Sequence, residues 1–248
     1  MGRLTEAVKH ILIVNVLFFI ATQLLGDQMY QWFSLWFPKN ENFELWQAVT
    51  HMFMHGGFMH ILFNMYALWA FGTPMEQMWG RNKFLFFYFS AGLGAALIHT
   101  LVNYYHFNNG MQALMDAGYQ QAEVLSIISE GKYNTSWEAI IPGDILQNFL
   151  SAYMTPAVGA SGAIYGILVA FGMMFPNAEL MLLFFPMPIK AKYFIPGLIL
   201  LDLFSGLSGT SIFGGSIAHF AHLGGALFGF IMVWYWKRNQ FDRNRWDQ

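Results

Sequence analysis

The sequence predicts an all-α, polytopic membrane protein, and three observations lead there. The 248 residues are 56% hydrophobic and only 10% charged, a balance that belongs to membrane proteins. Six apolar runs, at about 10–25, 58–74, 83–103, 160–176, 192–207 and 216–236, are long enough, or nearly so, to cross a hydrocarbon layer of ~30 Å. The basic residues fall in alternate connections: Arg3 and Lys9, Arg81 and Lys83, Lys190 and Lys192, then Lys237, Arg238, Arg243 and Arg245, with Lys39 and Lys132 in the opposite set. Cationic residues collect on the cytoplasmic side, so both termini are expected in the cytoplasm of a multi-pass cell-membrane protein. The loops 26–57, 104–159 and 208–215 are then expected outside.

The first run follows Arg3 and Lys9 as a secretory signal would, but residues 21–25 offer no small-x-small cleavage site and five more runs follow. It is expected to be a retained helix. The loop after it carries Trp32, Phe33, Trp36, Phe37 and Trp46, amphipathic aromatics suited to the headgroup region. In the second run His60 and Asn64 are four apart and share one helix face. Hydrogen-bonding side chains inside an apolar span are costly and usually functional. His51 and His55 precede Gly56-Gly57 and are expected to order the turn into that span.

The third run carries Gly92, Gly94, Ala95 and Ala96, a small-residue face for close packing, and His99 nearer its outer end. Residues 104–159 are too polar to span and carry Asp116, Glu123, Glu130, Glu138 and Asp144. They are expected to form an extracytoplasmic insertion with short helices, within one membrane domain covering 1–248. Pro176, Pro186 and Pro188 interrupt the turn before the fifth run. That run holds Asp202, the one carboxylate well inside a predicted span; orienting a catalytic histidine is its lesser reading, because water can reach the outer end of the span. The Gly-rich strip 205–215, with Ile212-Phe213 at its tip, suits a lid over a wet cavity or a plain connection. The basic tail 237–248 reads as a topology anchor or a contact with anionic lipid.

Net charge and residue types remove several function classes. A net charge of −2, with no basic patch beyond the tail, argues against a nucleic-acid partner. The chain has no cysteine, which rules out disulfides and thiolate chemistry. The pairs His51/His55 and His219/His222 are spaced to chelate, yet there is no HExxH and no acidic neighbour to either pair, so no metal is expected.

The stretch Ala157-Val158-Gly159-Ala160-Ser161-Gly162-Ala163-Ile164-Tyr165-Gly166 opens the fourth run. Glycines on either side of Ala160-Ser161 bare the hydroxyl and nearby N–H groups, as a nucleophile with an oxyanion site requires. Alone, the pattern reads first as a packing face, since Gly162, Gly166 and Ala170 recur every four residues. The sixth run supplies a partner. It crosses in the same direction as the fourth, which places His222 and Ser161 at similar depth, and Gly225 and Gly229 lie on the His222 side of its helix. Two Gly-lined helices approach closely enough for an imidazole to reach a hydroxyl as general base.

Together GASGAIYG, HxxxHGGxxHxxxN and AHLGGALFG, in this order on a six-span frame, resemble the rhomboid family of intramembrane serine proteases. The resemblance implies a six-transmembrane-helix bundle with a short helix opening behind the catalytic serine, and a Ser161–His222 dyad with no carboxylate third member. It further implies that His60 and Asn64 join the backbone N–H of Ser161 in an oxyanion hole, with Tyr165 packed near His222 and Gly159 in support. The implied activity is cleavage of transmembrane segments of single-span membrane proteins near their outer ends, without metal or cofactor. A gate beside the second and fifth spans and a lid at 205–215 would admit substrate. The pattern departs from the family at Trp46-Gln47, where many members carry Trp-Arg, at His219, and in the long insertion. A catalytically silent rhomboid-like scaffold that binds membrane clients is the alternative, and a His-lined transporter or metal carrier comes third. A soluble α/β hydrolase is excluded, since no strand precedes the serine and no full GxSxG is present.

Overall fold

A computed structural model describes residues 4–182, 185–208 and 219–243. The chain is built almost wholly of helices. It opens with α1 (Glu6–Leu25), α2 (Asp27–Phe33) and the short α3 (Gln47–Thr50), which passes into a tight turn over His51–Phe53. The second predicted span is a broken helix: α4 (Phe58–Ala67), one wide π-type turn over Leu68–Gly72, then α5 (Thr73–Trp79). Pro74 accounts for the break, because its ring lacks an N–H and crowds the carbonyl one turn earlier, so the turn before it opens.

The long α6 (Arg81–Asp116) follows, 36 residues that run on past the predicted end of the third span. Helices α7 (Gln121–Ser129) and α8 (Gly143–Met154) lie in the insertion, and α9 (Ser161–Met174) begins at the serine. A two-stranded antiparallel hairpin, β1 (Glu179–Leu182) and β2 (Phe185–Lys190), leads to α10 (Ala191–Ser208) and α11 (His219–Arg243). The sequence suggested only a proline-interrupted turn there. Pro186 and Pro188 forbid helix but are tolerated on an edge strand, and every strand of a two-stranded ribbon is an edge.

Among the described residues α1, α6 and α10 are long and apolar enough to cross a membrane, and α9, at 14 residues, is a shorter apolar helix. The outward faces of α1, α6 and α10 carry Leu17, Ile20, Leu93, Leu200 and Phe204, all exposed, as are Phe58 of α4 and Phe230 of α11. An apolar exterior around helices whose backbones are internally hydrogen-bonded is what lipid requires. The protein is an all-α polytopic membrane bundle.

Among the described residues two separate cores hold it. The larger joins α1, the π turn, α5, α6, α9 and α10 through Val8, Leu68, Met75, Phe84, Phe87, Ile167 and Ile195. Glu76 of α5 fastens α1 to it, accepting the N–H groups of Ala7 at 2.8 Å and Val8 at 2.9 Å and the Thr5 hydroxyl at 2.5 Å. These are orphan donors of a helix start, which a carboxylate satisfies in both hydrogen bonding and charge. The smaller core lies in the insertion, where the far end of α6, α7, the turn over Thr135–Ala139 and α8 enclose Phe107, Trp137 and Phe149. Helix α8 buries Leu146, Phe149, Ala152 and Tyr153, one stripe at helical spacing.

Helices α6, α9 and α11 pack as a tight trio. A Cβ at Gly225 of α11 would collide with the Gly162 carbonyl of α9, one at Gly229 would fall 2.6 Å from Gly166 Cα, and one at Gly166 would fall 2.6 Å from Ala91 Cβ of α6. Small residues thus let three backbones touch, the packing device of membrane helices.

Candidate active site

The approach to Ser161 is fixed by backbone pairing before any side chain is considered. Ala157 exchanges two hydrogen bonds with Leu35, each 2.9 Å, and the Gly159 N–H donates to the His51 carbonyl at 2.9 Å. Gly159 has φ 123°, a region that L side chains rarely occupy. A Cβ there would also lie 2.8 Å from His60 Nε2 and 3.6 Å from Ser161 Oγ. Glycine therefore does two things at this position: it turns the chain into α9 and lets His60 come close.

Ser161 is the first residue of α9. The first N–H groups of a helix have no intrahelical acceptor and sit at the positive end of its dipole, ready for an anion. The close contact between α9 and α11 brings His222 across, so that Nε2 lies 2.8 Å from Ser161 Oγ. The ring of Tyr165, one turn along α9, stacks on the His222 imidazole with centroids 4.2 Å apart and planes 10° from parallel.

His60 stands on the other side of the serine. Its Nδ1 accepts a long hydrogen bond from the Gly56 N–H, 3.4 Å. That leaves the ring proton on Nε2, the nitrogen turned toward Gly159. Asn64 is buried and donates through Nδ2 to the His60 carbonyl at 3.0 Å, with a second N–H remaining on the same nitrogen.

The other histidines are placed differently. His51 Nδ1 donates to the Gln47 carbonyl at 2.8 Å, and His55 Nδ1 is 3.3 Å from the Phe53 carbonyl. Burial holds His51 down to about 4; for His55, burial first and the nearby His60 second bring it to about 3. Both are therefore neutral near pH 7. His99 of α6 pairs with Asn103 at 3.1 Å. With His51, Gly159 and Ser161 it also lines a cavity of about 20 Å³, the size of one water molecule.

Two residues matter more than the sequence indicated. Gln47, at the position where the resemblance implied an arginine, knits the 26–57 loop. Its Nε2 donates to the carbonyls of Gln31 at 3.0 Å and Asn42 at 2.7 Å, and its Oε1 accepts the Trp36 N–H at 3.3 Å. An uncharged amide thus organises that loop. Asp202 of α10 is the other. Its side chain is 7% exposed, and it accepts from His219 Nδ1 at 2.5 Å, from His222 Nδ1 with both oxygens at 3.3 Å, and from the Tyr165 hydroxyl. The signal was visible as a lone carboxylate inside an apolar run. The strip expected as a lid, 205–215, lies outside the described residues from 209 onward.

The chain also resembles known proteins. The family described as the Rhomboid domain matches residues 42–116 and 133–239. Rhomboid protein 1, mitochondrial, of Saccharomyces cerevisiae is 27% identical over 183 residues, 74% of this chain and 39% of that protein. Presenilin-associated rhomboid-like protein, mitochondrial, of Bos taurus is 28% identical over 184 residues, 74% of this chain and 35% of the relative. Rhomboid protease GlpG of Salmonella choleraesuis is 40% identical over 76 residues, 30% of this chain and 28% of that protein. The matches therefore span well under half the length of each of these relatives. A family match over most of the chain, on a polytopic helical bundle that brings a serine and a histidine together, leads to one conclusion: this chain belongs to the rhomboid family.

Proposed function

We propose that this rhomboid is an intramembrane serine endopeptidase that cuts transmembrane segments of single-span membrane proteins with Ser161 and His222. The observation that carries the reading is the 2.8 Å contact between His222 Nε2 and Ser161 Oγ, a hydrogen bond of the length that general-base activation uses. In acylation His222 Nε2 takes the hydroxyl proton, Oγ bonds to the scissile carbonyl carbon, and the carbonyl oxygen becomes an anion. The N–H of Ser161, His60 Nε2–H and the second N–H of Asn64 are the donors for it. The proton then passes from Nε2 to the leaving amine as the C–N bond breaks, and water hydrolyses the ester by the same route in reverse.

A peptide carbonyl in an intact helix is already hydrogen-bonded, so the substrate must unwind locally before attack. Substrates with helix-weakening residues near the cut are accordingly favoured over Leu-rich ones. The alternating basic residues support an orientation with both termini in the cytoplasm of a cell membrane and the Ser161 end facing the other side. The name of the Salmonella relative, a rhomboid protease, favours a cleaving enzyme over a silent scaffold. Purified protein in liposomes with a panel of single-span substrates tests this. Cleavage is expected with wild type and is lost with Ser161→Ala and with His222→Ala; cleavage that survives Ser161→Ala defeats the reading.

A further inference from the structure

We infer that Asp202 is a positioning residue for His222, orienting the imidazole of the serine–histidine pair without itself taking a proton; the inference rests on the protease reading above. An aspartate inside an apolar span is costly and persists only where donors surround it. Among the described residues the donors recorded on Asp202 are three, and two of them bear directly on the proposed base. Nδ1 of His222 faces both carboxylate oxygens at 3.3 Å. The hydroxyl of Tyr165 donates to Oδ2, and the ring of the same tyrosine lies flat on the imidazole. His219 Nδ1, at 2.5 Å from Oδ1, holds the carboxylate from the third side.

A carboxylate is an acceptor only, with room for about four donors. It therefore requires the His222 proton on Nδ1, which leaves Nε2 unprotonated and able to accept the proton of Ser161 Oγ. The opposite tautomer, with the proton on Nε2, has no lone pair to offer the serine. The carboxylate fixes the ring edge directly and the ring face through Tyr165, so a single group sets both the tautomer and the plane of the imidazole. In acylation the serine proton goes to Nε2 and later to the leaving amine. Asp202 takes up no proton and faces the imidazolium while it exists.

Asparagine at this place keeps the shape and loses the preference for Nδ1–H, since its amide nitrogen donates. In liposomes Asp202→Asn is expected to lower kcat by about 100- to 10,000-fold with KM within about 3-fold of wild type, because nothing that binds substrate is changed. A kcat within about 3-fold of wild type overturns the inference. Tyr165→Phe, which keeps the stacked ring and removes its tether, is expected to lose less than Asp202→Asn. A loss equal to or greater than that of Asp202→Asn counts against the shared role of the carboxylate.

Should Asp202→Asn fail to fold, ring-nitrogen NMR of histidine-labelled Ser161→Ala protein gives the answer without altering the carboxylate. His222 is expected protonated at Nδ1 and bare at Nε2; the reverse overturns the inference. A wild type that cleaves nothing defeats the protease reading instead, and the NMR result still decides the contact between Asp202 and His222.

Discussion

Gly225 of α11 faces the carbonyl of Gly162 of α9 with no space for a methyl group between them, three residues along from His222 on one helix and one residue from Ser161 on the other. This contact sets how far the imidazole must reach. Adding a Cβ at Gly225 forces backbone away from backbone, and no flexible side chain is available to give way. Gly225→Ala is therefore expected to lose about 1–3 kcal/mol of stability through overpacking. It should also lengthen the contact between His222 and Ser161 and slow cleavage. Thermal unfolding in detergent and the cleavage rate in liposomes check the two effects separately; an unchanged rate would show that the serine and histidine are positioned by something other than this helix contact.

Gly159→Ala meets two obstacles at one residue. Its backbone, at φ 123°, is strained for any residue with a Cβ, and the new methyl would sit 2.8 Å from His60 Nε2. The expected result is displacement of His60 and a rate lower by about 10- to 1000-fold, the scale of losing one oxyanion donor. Labelling of Ser161 by a small fluorophosphonate, compared with turnover of a peptide substrate, reads the effect.

Glu76→Gln removes the charge from a carboxylate that accepts two backbone N–H groups and one hydroxyl at the start of α1. An amide has one acceptor oxygen and an unwanted donor. A loss of about 1–3 kcal/mol is expected, with α1 detaching first, as measured by hydrogen exchange at Ala7 and Val8. Cleavage by the protein that remains folded should be little changed, since Glu76 is remote in sequence and in contacts from the serine.

Acidification should destabilise the fold through His51. Burial holds its imidazole down to about 4, whereas the unfolded chain takes up that proton near about 6.5. The unfolded state binds more protons between those values, so stability is full above pH 6.5 and falls as the pH drops toward 4. The loss is on the order of 3 kcal/mol if no other group compensates. Denaturation midpoints in detergent across this range test it, and His51→Gln should show a shallower fall.

How much of this could be read from residues alone differs from place to place. Ser161 and His222 were legible as a pair because each lies in a Gly-lined run and the alternation of basic residues put both at one depth. The π turn in the second span was not, since hydropathy reports how greasy a segment is and nothing about which carbonyl each N–H finds; only Pro74 hinted at it. Asp202 was visible as an expensive carboxylate, but its three partners sit on α9 and α11, and their mutual rotation is a product of packing. The role of Gln47 was hidden for a related reason. A missing arginine looks like a lost loop organiser until the amide is seen bonding three backbone groups of that loop. The hairpin before α10 combines prolines with apolar residues, a pattern equally suited to an irregular turn.

The brevity of α9 has a consequence for the proposed cleavage. Fourteen residues rise about 21 Å, against a hydrocarbon slab of about 30 Å. With its far end at one boundary, Ser161 is sunk about 9 Å beneath the other, roughly the rise of six helical residues. A bond severed at that level would release a fragment still carrying a stub of greasy residues at its new end, and that product would leave the bilayer slowly by itself.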